Sequence, residues 1–201
     1  MESNSEKKYG RIIIRTAKLS DIHDLAPRLR EADIQEIKAA SGETSVGVLE
    51  RGLFSSDPCY VVVRDDGRSL ALFGVVPDLS SNFVSSGIIW LLGSDDLVKY
   101  SYTFLRYGRE WIERLQERYN FLWNYVDARN ETHIRWLKWC GFSFYAILEK
   151  HGVEQRPFYK FGKQRETCEA ALDSSVVIPT VGMKIVSADD AKVQEFRRLQ
   201  K

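Results

Sequence analysis

Phe121-Leu122-Trp123-Asn124-Tyr125-Val126, the turn Asp127-Ala128-Arg129-Asn130 and the run Glu131-Thr132-His133-Ile134-Arg135-Trp136-Leu137-Lys138-Trp139-Cys140-Gly141-Phe142 form the stretch that decides the fold. The first segment is apolar or aromatic at nearly every position, as in a strand covered on both faces inside a mixed or parallel sheet. Asn130 then suits the N-cap of a helix from Glu131 to Cys140, and Gly141 suits the left-handed residue that closes it. Just upstream, Phe104, Gly108, Trp111, Ile112, Leu115 and Tyr119 recur at spacings of three and four, with Arg109, Glu110, Glu113, Arg114, Glu117 and Arg118 mostly opposite. That pattern predicts an amphipathic helix ending near Tyr119. A helix, a strand and a helix therefore follow one another almost without loops.

Working outward, Arg11-Ile12-Ile13-Ile14-Arg15 reads as a first strand, and Ser20-Asp21 caps a helix through Ile22, Leu25, Ala26 and Leu29, bent or irregular at Pro27. Between Glu31 and Phe54 the periodicity weakens, and a second helix over about 43–54 is the simplest reading. Cys59-Tyr60-Val61-Val62-Val63-Arg64 and Ser69-Leu70-Ala71-Leu72-Phe73-Gly74-Val75-Val76 flank Asp65-Asp66-Gly67-Arg68, the signature of a hairpin. Ser86 to Gly93 supplies a further strand. Phe142 to Leu148 and Arg156 to Phe161 make a last hairpin around His151-Gly152-Val153-Glu154. This order implies an α/β fold with a mixed, mostly antiparallel sheet, helices on both faces, and one parallel junction. The expected organisation is a flexible N-terminus over 1–10, one domain over 11–162, and an accessory arm over 163–201 carrying Val176-Val177-Ile178.

Bulk properties narrow the function. Lys and Arg number 29 against 28 Asp and Glu, so no global field favours nucleic acid or an anionic membrane. Cys59, Cys140 and Cys168 are an odd set without C-x-x-C spacing, which points away from a disulfide framework and a zinc site and toward a reducing cytoplasm. No segment approaches the roughly 20 apolar residues of a membrane span. Trp90, Trp111, Trp123, Trp136 and Trp139 lack a basic interleave and read as core, Cys140 reads as a small core residue, and Arg106 and Arg109 read as a solvated helix face. His23 is expected at the surface and His151 in a hairpin loop.

The run Asn130 to Phe142 resembles the N-x-x-A-x-x-x-Y-x-x-x-G-F segment of the GNAT (Gcn5-related N-acetyltransferase) superfamily, with Asn130, Gly141 and Phe142 matching and His133 and Leu137 standing at the usual Ala and Tyr. Its aromatic-rich form is similar to acyltransferase-like proteins of tailed bacteriophages, and the order of elements extends the likeness over about 11–161. The resemblance implies a GNAT-like sheet whose strands on either side of the long helix splay apart, with acetyl-CoA in the gap. Leu91, Leu92 and Gly93 would pair with its pantetheine arm, and a helix starting around Ser94 would hold the pyrophosphate with N–H groups and dipole. Asn130 is a cap and a candidate cofactor contact. His133, one turn before the Leu137 that replaces the family's tyrosine acid, is the candidate catalytic residue. The chain departs from the family's [RQ]-x-x-G-x-[GA] loop, carrying Gly93-Ser94-Asp95-Asp96-Leu97-Val98, with carboxylates that repel a diphosphate.

Two functions stay open at this point. One is acetyl-CoA-dependent acetylation of an amine on a protein or small molecule. The other is a catalytically degenerate GNAT-like bacteriophage protein, acting in the host cytoplasm in host-protein binding or virion assembly, with a homodimer through the arm as one arrangement. The expectations include no metal, nucleic acid or membrane partner.

Overall fold

The computed structural model describes residues 6–80 and 85–166. One eight-stranded sheet runs in the order β1-β2-β3-β4-β5-β6-β8-β7. Its strands are β1 (Lys7–Tyr9), β2 (Ile12–Thr16), β3 (Cys59–Arg64), β4 (Ser69–Pro77), β5 (Ser86–Gly93), β6 (Phe121–Asp127), β7 (Ser143–His151) and β8 (Arg156–Gln164). Helices α1 (Leu19–Leu25), α2 (Glu31–Ala40) and α3 (Ser45–Ser55) separate β2 from β3, α4 (Ser101–Gln116) joins β5 to β6, and α5 (Glu131–Trp139) joins β6 to β7.

Alternation along the strands builds two cores. Val62, Phe73, Val75, Leu91, Leu122 and Val126 face α4 and α5, where Trp111, Ile112, Leu115, Ile134 and Leu137 meet them. Val61, Val63, Leu72 and Leu92 face the other way, onto Ile22, Leu25 and Leu49 of α1 and α3. The period of two puts neighbouring residues of one strand on opposite faces, so β3 and β4, apolar throughout, serve both layers.

β5 and β6 are parallel neighbours, and they pair only at their starts, Ser86 with Phe121, Gly87 with Leu122 and Ile88 with Trp123. β6 then stays with β8 along its whole length to Asp127, while β5 stays with β4 to Gly93. The sheet therefore opens into a wedge beyond Ile88, as the GNAT resemblance implied. Gly87 sits at the root of that wedge, where a Cβ would lie 2.3 Å from Val75 Cγ1 and 2.9 Å from the Tyr119 ring. Gly87→Ala is expected to cost about 1–3 kcal/mol by overpacking, read as a lower urea midpoint with an unchanged slope.

Several expectations change. α2 is a helix that the sequence pattern left unread, and β1 lies inside the stretch expected to be a flexible N-terminus. Pro27 does interrupt the first helix, in a 3-10 turn over Ala26–Arg28. β8 continues to Gln164, so the domain runs past 162. The rest of the arm, with Cys168 and Val176 to Ile178, lies outside the described residues. His23 is exposed and Cys140 and Trp111 are in the core, as expected. Trp139, by contrast, is 49% exposed, with the Arg109 guanidinium 4.5 Å over its ring.

Candidate functional site

The wedge opens into a cavity of about 460 Å³ that passes through the sheet, from Ile37, Val48 and Gly52 on one side to Tyr107, Trp111 and Trp136 on the other. Its walls are chiefly apolar. Its chemistry comes from few groups, among them Glu36, Asn124, His133 and His151.

Backbone alternation decides what β5 offers to this space. The Ser94 amide donates to Leu70 O at 2.8 Å, so Ser94, Leu92 and Trp90 turn their backbone toward β4, and Ile89, Leu91 and Gly93 turn theirs toward the wedge. Asn124 reaches across the gap, its Nδ2 donating to Ile89 O at 2.7 Å while its Oδ1 accepts from the Tyr125 amide at 2.7 Å. At the far end Gly93 is fastened twice by the start of α2. Its N–H donates to Asp33 Oδ2 at 2.9 Å, and its carbonyl accepts from the Arg30 amide at 2.9 Å. Leu91 lies between these two fastened points with its backbone edge facing the cavity.

The expected cofactor residues thus fare differently. Leu91 and Leu92 both line the cavity, but the backbone of Leu92 is turned to β4 and its side chain packs with the α1–α3 core. Gly93 has both backbone groups engaged by α2. Ser94 does stand at a helix start, since a 3-10 helix over Asp95–Tyr100 runs directly into α4 and the Ser94 carbonyl accepts from the Leu97 amide at 3.0 Å, but Ser94 is buried and its hydroxyl bonds Leu70 O at 3.1 Å. The Gly93 and Ser94 amides are therefore bonded within the protein rather than turned toward a pyrophosphate. Asp96 adds a carboxylate there, paired with Lys99 at 2.8 Å and flanked by Arg28 and Arg68 at 3.7 and 3.8 Å.

Asn130 caps α5 as the sequence implied, its Oδ1 accepting from the His133 amide at 3.3 Å. Its Nδ2 donates to Glu36 Oε2 at 2.9 Å, so both ends of this buried amide are used within the protein. Three carboxyls converge around it. Asp33 is bound by Arg30 at 2.7 Å and Asp127 by Arg129 at 2.6 Å, while Glu36, among the described residues, has the Asn130 amide and no salt bridge. Burial, reinforced by the neighbouring charges of Asp33 and Asp127, pushes the Glu36 carboxyl up to about 8. His133 also lines the cavity, but burial and then the Arg30 cation push its imidazole down to about 3. A neutral imidazole of that kind holds no proton to give a leaving thiolate near pH 7, so the titration expected of His133 from its sequence position is not the one its surroundings impose.

Leu137, at the place of the family's tyrosine, is buried in the α4–α5 core. His151 is not a free loop residue. It ends β7, lines the cavity, and packs its ring 4.6 Å from Tyr125 and 4.7 Å from Phe158. The turn after it seals the same region, because the amides of Val153 and Glu154 donate to Ala40 O and Ala39 O at the C-terminal end of α2. Glu36 and Asp33 are the site residues that sequence reasoning missed, since both stand on the helix it did not see.

Among the described residues no group of three or more His, Cys, Asp or Glu is arranged to hold a metal ion, and no helix is long and apolar enough to cross a membrane.

Comparison with known proteins agrees with this geometry. The fold matches solved GNAT acetyltransferases. One from Bacillus anthracis has a TM-score of 0.52 at 12% identity, over 79% of this chain and 98% of that one. Ard1 from Thermoplasma volcanium has a TM-score of 0.59 at 16% identity, over 78% and 99%. A microcin self-immunity acetyltransferase, solved with acetyl-CoA and AMP, has a TM-score of 0.59 at 11% identity, over 78% and 94%. In sequence, residues 59–147 match the family described as bacteriophage T7, probable scaffold protein Gp13. The probable scaffold protein gp13 of Escherichia phage T7 is 32% identical over 142 residues, covering 71% of this chain and 92% of that protein. With a GNAT fold and this extent of shared sequence, the chain belongs to the family of the phage T7 probable scaffold protein Gp13.

Proposed function

We propose that this protein serves phage particle assembly in the host cytoplasm, as a GNAT-fold protein whose cofactor-phosphate site has been built over. The observation that carries this reading is the engagement of Gly93 and Ser94, whose amides are spent on Asp33 and Leu70 where a phosphate would need them. A buried amide already bonded to a carboxylate gains nothing from a phosphate unless that carboxylate leaves. The likeness to a scaffold protein over most of that protein's length supports the same reading. Complementation tests it. A phage lacking the gene is expected to yield infectious particles when supplied with the parent chain, and equally with Glu36→Gln or His133→Ala; loss of complementation by stable, soluble forms of these cavity variants would overturn it.

A second reading is favoured by one feature, the open wedge with the Leu91 edge and the elevated Glu36 carboxyl in it. In this reading acetyl-CoA is the co-substrate: the neutral amine of a protein or small-molecule acceptor attacks the thioester carbonyl, the carbon–sulfur bond breaks, the protonated Glu36 carboxyl gives its proton to the departing thiolate, and the nitrogen returns a proton to Glu36. Release of free CoA thiol in the presence of an amine, abolished in Glu36→Gln, would support it against assembly alone.

A further inference from the structure

The cavity has an arm that neither functional reading uses. On the α4 side of the sheet it is lined by Ile12 and Ile14 of β2, Val62 of β3, Phe73 of β4, Leu91 of β5 and Ile112 of α4, so it runs across the strands beneath α4 as well as through the wedge. β2 and β6 stand four neighbours apart in the sheet, which makes that run roughly 19 Å long. Spread over such a length, 460 Å³ leaves a mean section of at most about 24 Å², and since packed carbon atoms lie about 4 Å apart the arm is one chain wide. Tyr9 closes its far end. The Tyr9 ring packs 4.0 Å from that of Tyr107, and its hydroxyl accepts from Trp111 Nε1 at 3.2 Å and donates to Glu110 Oε1 at 3.3 Å. The charged side chains that line the cavity, Glu36 and Arg51, stand on α2 and α3, on the opposite side of the sheet. The space is therefore polar at one end and apolar along its length toward the other. An apolar cavity of about 150 Å³ takes up benzene, so one about three times as large has room for roughly eighteen carbon atoms.

We propose that this cavity binds one unbranched acyl chain, its tail beneath α4 with the last carbons at Tyr9 and its carboxyl or ester group on the α2–α3 side, toward Arg51. A branched or polycyclic apolar molecule does not enter an arm one chain wide, and a small ionic one finds no charged side chain beneath α4. A free fatty acid and a lipid ester share the chemistry that this shape selects. The inference goes beyond both functional readings and holds whether or not acetyl-CoA binds.

Competition against a fluorescent fatty acid on the full chain, with saturated carboxylates of about eight to twenty carbons kept below their micelle concentrations, tests it. Affinity is expected to rise about fourfold for each added methylene and to level off near sixteen carbons, where the cavity is full. Ile14→Trp, which fills the arm, should move that plateau to shorter chains, a shift that neither a surface site nor a misfolded chain would give. A carboxylate brominated at its last carbon should quench the tryptophan fluorescence of the parent and of Trp139→Phe alike, and that of Trp111→Phe less. Monoacylglycerols of the same lengths separate the two sources: affinity equal to or above that of the carboxylates assigns a lipid ester, and weaker binding assigns a free fatty acid. Absence of saturable binding at every chain length, an affinity that climbs without a plateau, or quenching that Trp111→Phe leaves untouched would overturn the proposal.

Discussion

Asp33→Ala is expected to lower stability by about 3–5 kcal/mol, the range for removing one partner of a buried ion pair. Asp33 is 1% exposed, takes a bidentate grip from Arg30 and accepts the Gly93 amide, so its loss leaves a largely buried guanidinium and an orphaned N–H at once. Urea unfolding measures the loss as a displaced midpoint. Amide hydrogen exchange at Gly93 should accelerate in the same variant, because the donor that α2 holds is released. A loss below about 1 kcal/mol, within the range of an exposed pair, would mean that the start of α2 does not hold the end of β5.

The second large effect depends on pH. The Glu36 carboxyl is carried from 4.5 to about 8 by burial and by Asp33 and Asp127, with the Asn130 amide opposing. The native state therefore keeps a proton that the unfolded chain gives up, and the stability linked to Glu36 is complete below pH 4.5 and is lost as pH rises to about 8. His133 works the other way. Its imidazole is lowered from 6.5 to about 3, so its contribution is complete above pH 6.5 and is lost as pH falls toward 3. Between 4.5 and 6.5 the two slopes cancel, and this pair leaves a plateau that falls away on both sides. Glu36→Gln removes the alkaline fall. At pH 9 it is expected to stabilise the protein by up to about 5 kcal/mol relative to the parent, and at pH 5 to change little. Equal pH slopes for variant and parent between pH 6.5 and 8 would contradict this placement of Glu36.

These two residues also mark where the sequence stopped being legible. The wedge came from the resemblance carried by Asn130 to Phe142, whereas the residues alone announced a strand over Phe121 to Val126 covered on both faces and one parallel junction in the sheet. Asn130 as a cap followed from a local hydrogen bond, which spacing alone specifies. α2 gave no such pattern. It buries Ile37 and Ala39 but also Asp33, and it leaves Ile34 37% exposed, so its inward face is part polar and apolar periodicity cannot outline it. Tertiary pairing with Arg30 and Gly93 stabilises that face. The same limit hid the behaviour of Ser94 and His133: capping preference assigns a serine before acids to a helix start, yet here the distant strand β4 takes both of its donors. His151 was read as a loop residue because β7 runs three residues beyond its apolar stretch, and the turn that follows is pinned by the end of α2.

The central claim is that the end of β5 is closed to a cofactor's phosphates by the protein's own bonds. Titration of the full chain with acetyl-CoA up to millimolar concentration, followed by calorimetry and by melting temperature, tests it most directly. No saturable heat and no rise in melting temperature are expected. A melting temperature that climbs with the logarithm of acetyl-CoA concentration, as it must for a ligand bound only by the native state, would contradict it.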